Sequence, residues 1–201
     1  MSIRLPARAG TARTVAVAGP AGNERLTAAV AIVLLVLLAI EGVTILFLGP
    51  LLSVHLFVGL LLVPPVAVKV GSTGWRFARY YLGSEPYRRR GPPHAILRAL
   101  APFVVLTTAA VLATGVALLF AGPASRDSLL PWHKASFIAW IAFMGVHVLG
   151  HLPALPRALR PSPLPGRPAR AAIVAGALVA GSALAIALAG HFGPWLHGSG
   201  A

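Results

Sequence analysis

The sequence lacks the residues on which several classes of chemistry depend. It contains no cysteine, which excludes disulfide bonds, thiolate-held iron–sulfur clusters and covalent c-type haem attachment. Only four residues are acidic. The sequence also has no nucleophile–base constellation, no phosphate-binding loop and no paired carboxylates. It therefore does not predict an enzyme that acts alone, although quinone or ferric reduction at the edge of a haem stays open.

Charged residues are scarce as well, at 10% of the chain, whereas 57% of the 201 residues are hydrophobic. This composition is too apolar for an ordinary soluble domain. Apolar runs of about 20 residues recur, and each is long enough to cross a hydrocarbon core of roughly 30 Å as a helix. The sequence predicts an all-α polytopic membrane bundle. The predicted spans are residues 26–48, 51–70, 99–121, 130–152 and 171–190.

The sequence also predicts what lies outside these spans: two tails and a loop. Residues 1–25 read as a disordered basic tail, and residues 191–201 as a short outer tail. Residues 71–98 mix aromatic side chains with arginines. This segment is interpreted either as an interfacial stretch at the level of the lipid headgroups or as a docking surface for a partner.

The basic residues predict the orientation of the bundle. If the five spans alternate, 15 of the 17 Lys and Arg residues fall on one side, and only Arg126 and Lys134 fall on the other. Basic residues concentrate on the cytoplasmic side of membrane proteins. The sequence therefore predicts a multi-pass cell-membrane protein with its N-terminus in the cytoplasm and its C-terminus outside. Topology and anionic lipid account for the net charge of +13, so no nucleic-acid partner is expected.

The fifth predicted span is built almost entirely from small and aliphatic residues. Gly176 with Ala180, and Gly181 with Ala185, are small-xxx-small pairs that allow close packing on a neighbouring helix. The span carries no polar group suited to chemistry before His191. We interpret it as an accessory helix that packs on a four-helix core.

Three histidines occur in the apolar segment from Pro131 to Pro153. Fourteen residues of helix rise about 21 Å and leave His133 and His147 about 40° apart around the axis. His151 follows one turn after His147 and shares this face. Polar groups inside a bilayer usually face the interior of a bundle and have a partner there, so we ask what faces these side chains.

The predicted depth of each histidine suggests a pair. His55 lies about four residues inside the outer edge of the second span, and His133 lies close to the outer edge of the fourth. Two neutral imidazoles that face each other across a bundle can bind the iron of a b-type haem. Met144, the only methionine besides the initiator, lies deeper. The alternative is that these histidines are hydrogen-bonding groups without a cofactor, as we expect for His191 and His197.

Three further residues belong at the same predicted depth. Glu41 can orient an imidazole or relay protons to a quinone site, or can have no role beyond its hydrogen bonds. Gly59 and Gly115 can leave room for a flat macrocycle, or can simply aid helix packing.

These features resemble the four-helix membrane cytochrome b subunits of formate dehydrogenase and nickel–iron hydrogenase, and more loosely other bacterial cytochrome b561-like proteins. The resemblance covers the first four spans. It implies that His55 and His133 ligate an outer haem, and that His147 ligates an inner one. It implies one haem b and allows a second, with electrons passing between quinone and a partner redox subunit.

The sequence departs from this family in its first span, which has no histidine. The ligand opposite His147 or His151 is therefore unassigned, and His94 lies too far outside the core. The alternative function is a haem-free integral membrane anchor, assembly factor or small transporter. Transporters usually show broken helices in repeated halves. Here only the second span is interrupted, at Pro64 and Pro65, which makes the transporter the weaker form of this alternative.

Overall fold

The computed structural model describes residues 19–91, 95–156 and 164–197, and within these ranges the chain is helical with no strand. Five helices are long and apolar enough to cross a membrane. The prediction of an all-α, multi-pass membrane protein is therefore confirmed. The helices are α1 (Pro20–Leu46), α2 (Leu48–Tyr81), α3 (Glu85–Arg88), α4 (Ala95–Ala121), α5 (Arg126–His151), α6 (Arg167–Ala187) and α7 (Gly193–His197).

Several helices extend beyond the predicted spans. Helix α1 begins at Pro20, a residue suited to the first helical position, so residues 20–25 are helical rather than part of a tail. Residues 1–18 lie outside the described ranges. Helix α2 has 34 residues and is about 51 Å long. It takes up residues 71–81 of the predicted interfacial loop, and α3 lies in the remainder. The predicted outer tail likewise contains α7.

The transmembrane helices form two antiparallel hairpins and one further helix. Helices α1 and α2 are separated by the single residue Phe47, and α4 and α5 by Gly122 and a 3-10 turn at Pro123–Ser125. We call the end of the bundle with these two turns the hairpin end. We call the opposite end, which holds the C-terminus of α2 and the N-terminus of α6, the basic end.

The densest packing joins α1, α2 and α6. Residues of α1 at helical spacing are buried against Val58 and Leu62 of α2, and Val174 and Leu178 of α6 pack on the same cluster. Helices α4 and α5 pack mainly on each other, and α2 makes only limited contact with α4. Helix α6, which is the fifth predicted span, thus packs directly on α2. The predicted four-helix core with an accessory helix is not confirmed. The buried residues of α1 in this cluster are Leu26, Val30, Leu34 and Leu37.

Helix α2 continues through Pro64 and Pro65, so the predicted interruption is absent. Pro65 has no N–H to donate to the carbonyl of Leu61 one turn earlier. Gly181 of α6 lies directly against this carbonyl, because a Cβ atom at Gly181 would be 2.5 Å from the Leu61 oxygen. The missing side chain therefore sets the distance between α6 and α2.

A polar cluster ties α1 to α2 near the basic end. The Asn23 side-chain amide donates to the Ser72 carbonyl at 2.9 Å, and the Thr27 hydroxyl donates to Ser72 Oγ at 2.9 Å. Lys69 Nζ donates to the Thr27 carbonyl at 3.1 Å. Asn23 and Ser72 are buried. These bonds satisfy polar groups that would be costly to leave unpaired among apolar helices.

The segment after α2 folds back onto this end of the bundle. Glu24 of α1 pairs with Arg76 and Arg90. The guanidinium carbon of Arg79 lies 5.6 Å from the ring centroid of Trp75 and 6.0 Å from that of Tyr87. Both predicted interpretations of residues 71–98, as an interfacial stretch or as a docking surface, remain open.

Candidate functional site

The fold brings His55 of α2 and His133 of α5 together near the hairpin end. Their ring centroids are 6.5 Å apart, and the ring planes are inclined by 75°. Neither side chain is fully exposed. Two histidines 78 residues apart in sequence thus face each other across the bundle, as their predicted depths suggested.

Two side chains of α1 contact the His55 ring at Nδ1. Its Nδ1 atom lies 3.0 Å from Glu41 Oε1 and 3.1 Å from Thr44 Oγ1. The Thr44 hydroxyl donates to the Glu41 carbonyl at 2.6 Å, so its single proton is already engaged. An ionised carboxylate can only accept a hydrogen bond. In the neutral form of the ring, Nδ1 of His55 carries the proton and the lone pair is on Nε2.

The His133 ring is held in the same way by α4. Its Nδ1 atom lies 3.0 Å from Thr114 Oγ1, and the Thr114 hydroxyl donates to the Ala110 carbonyl at 2.8 Å. The Thr114 oxygen is therefore the acceptor for an N–H at Nδ1. Ser136 Oγ lies 3.1 Å from Thr114 Oγ1 and donates to the His133 carbonyl. In the neutral form that donates from Nδ1, His133 also has its lone pair on Nε2.

Hydrogen-bonding side chains contact both rings at Nδ1, and the His133 ring also bonds to the backbone of Val111. A histidine that donates from one ring nitrogen and keeps the other free has the form in which histidines bind metals. A metal about 2.0–2.1 Å from each nitrogen would place the two ring centroids roughly 6 Å apart. The observed separation of 6.5 Å agrees with this. The centroid distance of the pair is therefore compatible with a metal held between the two imidazoles.

The number of ligands distinguishes a bare ion from a metal in a macrocycle. No group of three or more His, Cys, Asp or Glu residues that could hold a metal ion occurs in the described ranges. A structural zinc site takes four protein ligands. A haem iron needs only axial ligands from the protein, because the porphyrin supplies the others. The donor set therefore fits a haem better than a bare ion.

Both glycines singled out in the sequence lie at this site. A Cβ atom at Gly115 would be 3.1 Å from Cε1 of His133, and one at Gly59 would be 3.5 Å from Glu41 Oε1. The first distance is shorter than an ordinary contact, so α4 approaches the imidazole closely because residue 115 has no side chain. Their predicted role in making room for a macrocycle is untested.

The other two predicted ligands lie near the basic end. The ring centroids of His147 and His151 are 4.6 Å apart, which confirms that they share one face of α5. His147 Nδ1 is buried without a hydrogen-bond partner among the described residues, and His151 is exposed. Histidines one turn apart on one helix cannot approach a haem from opposite faces. An inner haem would need a ligand from elsewhere, and His94 lies outside the described residues.

The remaining sequence candidates lie at the surface. His191 and His197 are exposed, and the His191 ring contacts Phe120 at a centroid distance of 4.9 Å. Arg126 and Lys134 line a shallow hollow of about 230 Å³ with Asp127, Leu130 and Pro131. This hollow adjoins His133 in sequence but does not include the histidine pair.

Sequence reasoning missed the hydroxyl groups that hold the two rings. Thr44 is one helical turn from Glu41, and Thr114 directly precedes Gly115. A search for polar residues at the depth of the histidines would have found both. Neither was recognisable from its own position, because threonine in an apolar helix commonly bonds to its own backbone.

The comparisons with known proteins add no identification: the chain matches no family model, no curated protein and no solved structure.

Proposed function

We propose that this protein is a membrane b-type cytochrome that binds one haem b between His55 and His133. It transfers electrons between the quinone pool and a partner redox subunit. The observation that carries the proposal is the pair of facing imidazoles, in which each Nδ1 atom is engaged by a side chain of a neighbouring helix. The resemblance to four-helix cytochrome b subunits supports the same function.

A haem bound at this site supplies one-electron redox chemistry. The protein orients its two ligands through Glu41, Thr44 and Thr114, and surrounds them with apolar helices that exclude water. Four helices contribute to the site: α1 and α4 through the groups that hold the rings, and α2 and α5 through the rings themselves. These helices correspond to the first four predicted spans, which the resemblance covers.

The proposed orientation follows from the charges. Most basic residues of the described ranges lie at the end of the bundle opposite the histidine pair, so the proposed haem is near the outer surface and the basic end faces the cytoplasm. Lys134 and Arg126 lie at the same outer level and are suited to the haem propionates. A partner subunit that exchanges electrons with this haem would approach from that side.

The test is the visible absorption spectrum of the purified chain, produced in a host with ample haem. We expect one haem b per chain with a low-spin, bis-histidine spectrum. His55→Ala and His133→Ala should each abolish that low-spin spectrum, whereas His197→Ala, at an exposed position, should leave it unchanged.

Two outcomes would contradict the proposal. If the wild-type chain binds no haem, the cytochrome function fails and the haem-free anchor takes its place. If haem is bound, but His147→Ala removes it and His55→Ala does not, the pairing of His55 with His133 is wrong.

A further inference from the structure

The structure surrounds the two proposed ligands very differently. The inference from this difference goes beyond the proposed function, on which it rests. We infer that His55 is the permanent axial ligand and His133 the exchangeable one. If a haem is bound, release of His133 would open the position at which a small neutral ligand, such as carbon monoxide, binds.

The first asymmetry is in the hydrogen bonds. Nδ1 of His55 faces a carboxylate oxygen at 3.0 Å, whereas Nδ1 of His133 faces a neutral hydroxyl oxygen at 3.0 Å. Hydrogen bonds to an ionised partner are roughly twice as strong as neutral ones. A carboxylate behind a ligating histidine also raises the basicity of the ring. His55 is therefore the better electron donor to a metal.

The second asymmetry is in the surroundings of the two rings. Thr44, beside His55, is 1% exposed, and α2 buries Val58 and Leu60 within the next turns. None of the residues of α5, all of which the structure describes, is buried. His55 thus belongs to the densely packed part of the bundle, and His133 belongs to a hairpin that rests mainly on α4 alone.

These differences determine which bond to a metal is easier to break. Moving His55 away would deprive Glu41, whose side chain is 13% exposed, of its N–H donor and leave its carboxylate only the longer contact with the Thr44 hydroxyl at 3.3 Å. A charge in an apolar environment is costly when it is poorly paired. Moving His133 away would release a neutral hydroxyl that has other partners in Ser136 and the Ala110 carbonyl, and a bond to the uncharged backbone of Val111. Of the two residues that would hold the haem, His133 is therefore the one that would leave it more easily.

The experiment compares haem retention and carbon monoxide binding in three full-length proteins. Reduced wild-type protein should bind carbon monoxide slowly. His133→Ala should keep its haem in a high-spin form and bind carbon monoxide at once. His55→Ala should lose most of its haem. Equal haem retention in the two variants, or better retention in His55→Ala, would overturn the inference.

A second pair of variants keeps the inference testable if His55→Ala simply misfolds. Glu41→Gln keeps the shape of the side chain but removes its charge, and it should lower haem affinity about tenfold, the lower limit for losing a partner of a metal-binding histidine. It should also raise the reduction potential, because the ligand becomes less electron-rich. Thr114→Val, the matched change behind His133, should have a smaller effect on both quantities. Equal effects of the two changes would contradict the inference.

The two proposals fail in distinguishable ways. A wild-type chain that binds no haem refutes the proposed function. A wild-type chain with a bis-histidine haem, whose two ligands respond alike to these substitutions, refutes only the asymmetry.

Discussion

Gly181→Ala tests the most crowded helix contact in the bundle. The new Cβ atom would lie 2.5 Å from the Leu61 carbonyl oxygen, and an ordinary contact begins at 3.4 Å. Helix α6 would then have to move away from α2 by about 0.9 Å, the difference between these two distances. The obstacle is backbone in the middle of a helix, so it cannot rotate aside as a flexible side chain would.

The expected cost follows from this displacement. Forcing extra atoms into a well-packed core typically costs about 1–3 kcal/mol, and 1.4 kcal/mol is about a factor of ten in an equilibrium constant. Alanine also favours a helix over glycine by about 1 kcal/mol. Gly176→Ala is the matched control, because it brings the same helix preference on α6 and its Cβ would meet nothing within 4 Å. The difference between the two variants therefore isolates the clash.

The assay is reversible unfolding in mixed detergent micelles, followed by circular dichroism. We expect Gly181→Ala to have a free energy of unfolding about 1–3 kcal/mol lower than that of Gly176→Ala. If the two variants unfold at the same denaturant fraction, α6 does not approach α2 as closely as the structure places it. In that case the role assigned to the Leu61 carbonyl is also wrong.

Three further predictions concern other parts of the bundle. Gly115→Leu should displace the His133 ring and change the haem spectrum. Gly145→Leu on α5 should not, because a Cβ atom at Gly145 would meet nothing within 4 Å. Equal spectra for the two variants would refute the contact between Gly115 and His133. Asn23→Ala should lower the free energy of unfolding by about 1 kcal/mol through the lost bond to Ser72, with unchanged haem content. A reporter fused after Ala201 should be active only outside the cytoplasm, and cytoplasmic activity would reverse the proposed orientation.

The number and type of the membrane helices could be predicted from the sequence. Each span is a continuous apolar run, and the cost of placing charged or unpaired polar groups in lipid is a property of that run alone. The shared face of His147 and His151 also followed from the sequence, because helical periodicity fixes the angle between residues of one helix. The depth argument that paired His55 with His133 required only that the helices alternate in direction.

The helix ends could not be predicted in the same way. Helix α2 runs 11 residues past its predicted end at Val70, to Tyr81, although these residues include arginines that no apolar run would contain. Contacts supply the reason, since Ser72 is bonded to α1 and Arg76 pairs with Glu24. Hydropathy indicates which segments of a chain can lie in lipid. It does not indicate where a helix ends once the chain is outside the membrane.

Only the tertiary structure decided which helices are neighbours and which groups lie behind each histidine. Small residues suit α6 to close packing on some helix, but its placement on α2 depends on a carbonyl freed by Pro65, a feature of another helix. In the same way, the carboxylate behind His55 and the hydroxyl behind His133 come from α1 and α4. Interactions between helices depend on the distance and rotation of two separate axes. A one-dimensional pattern of residues does not contain either quantity.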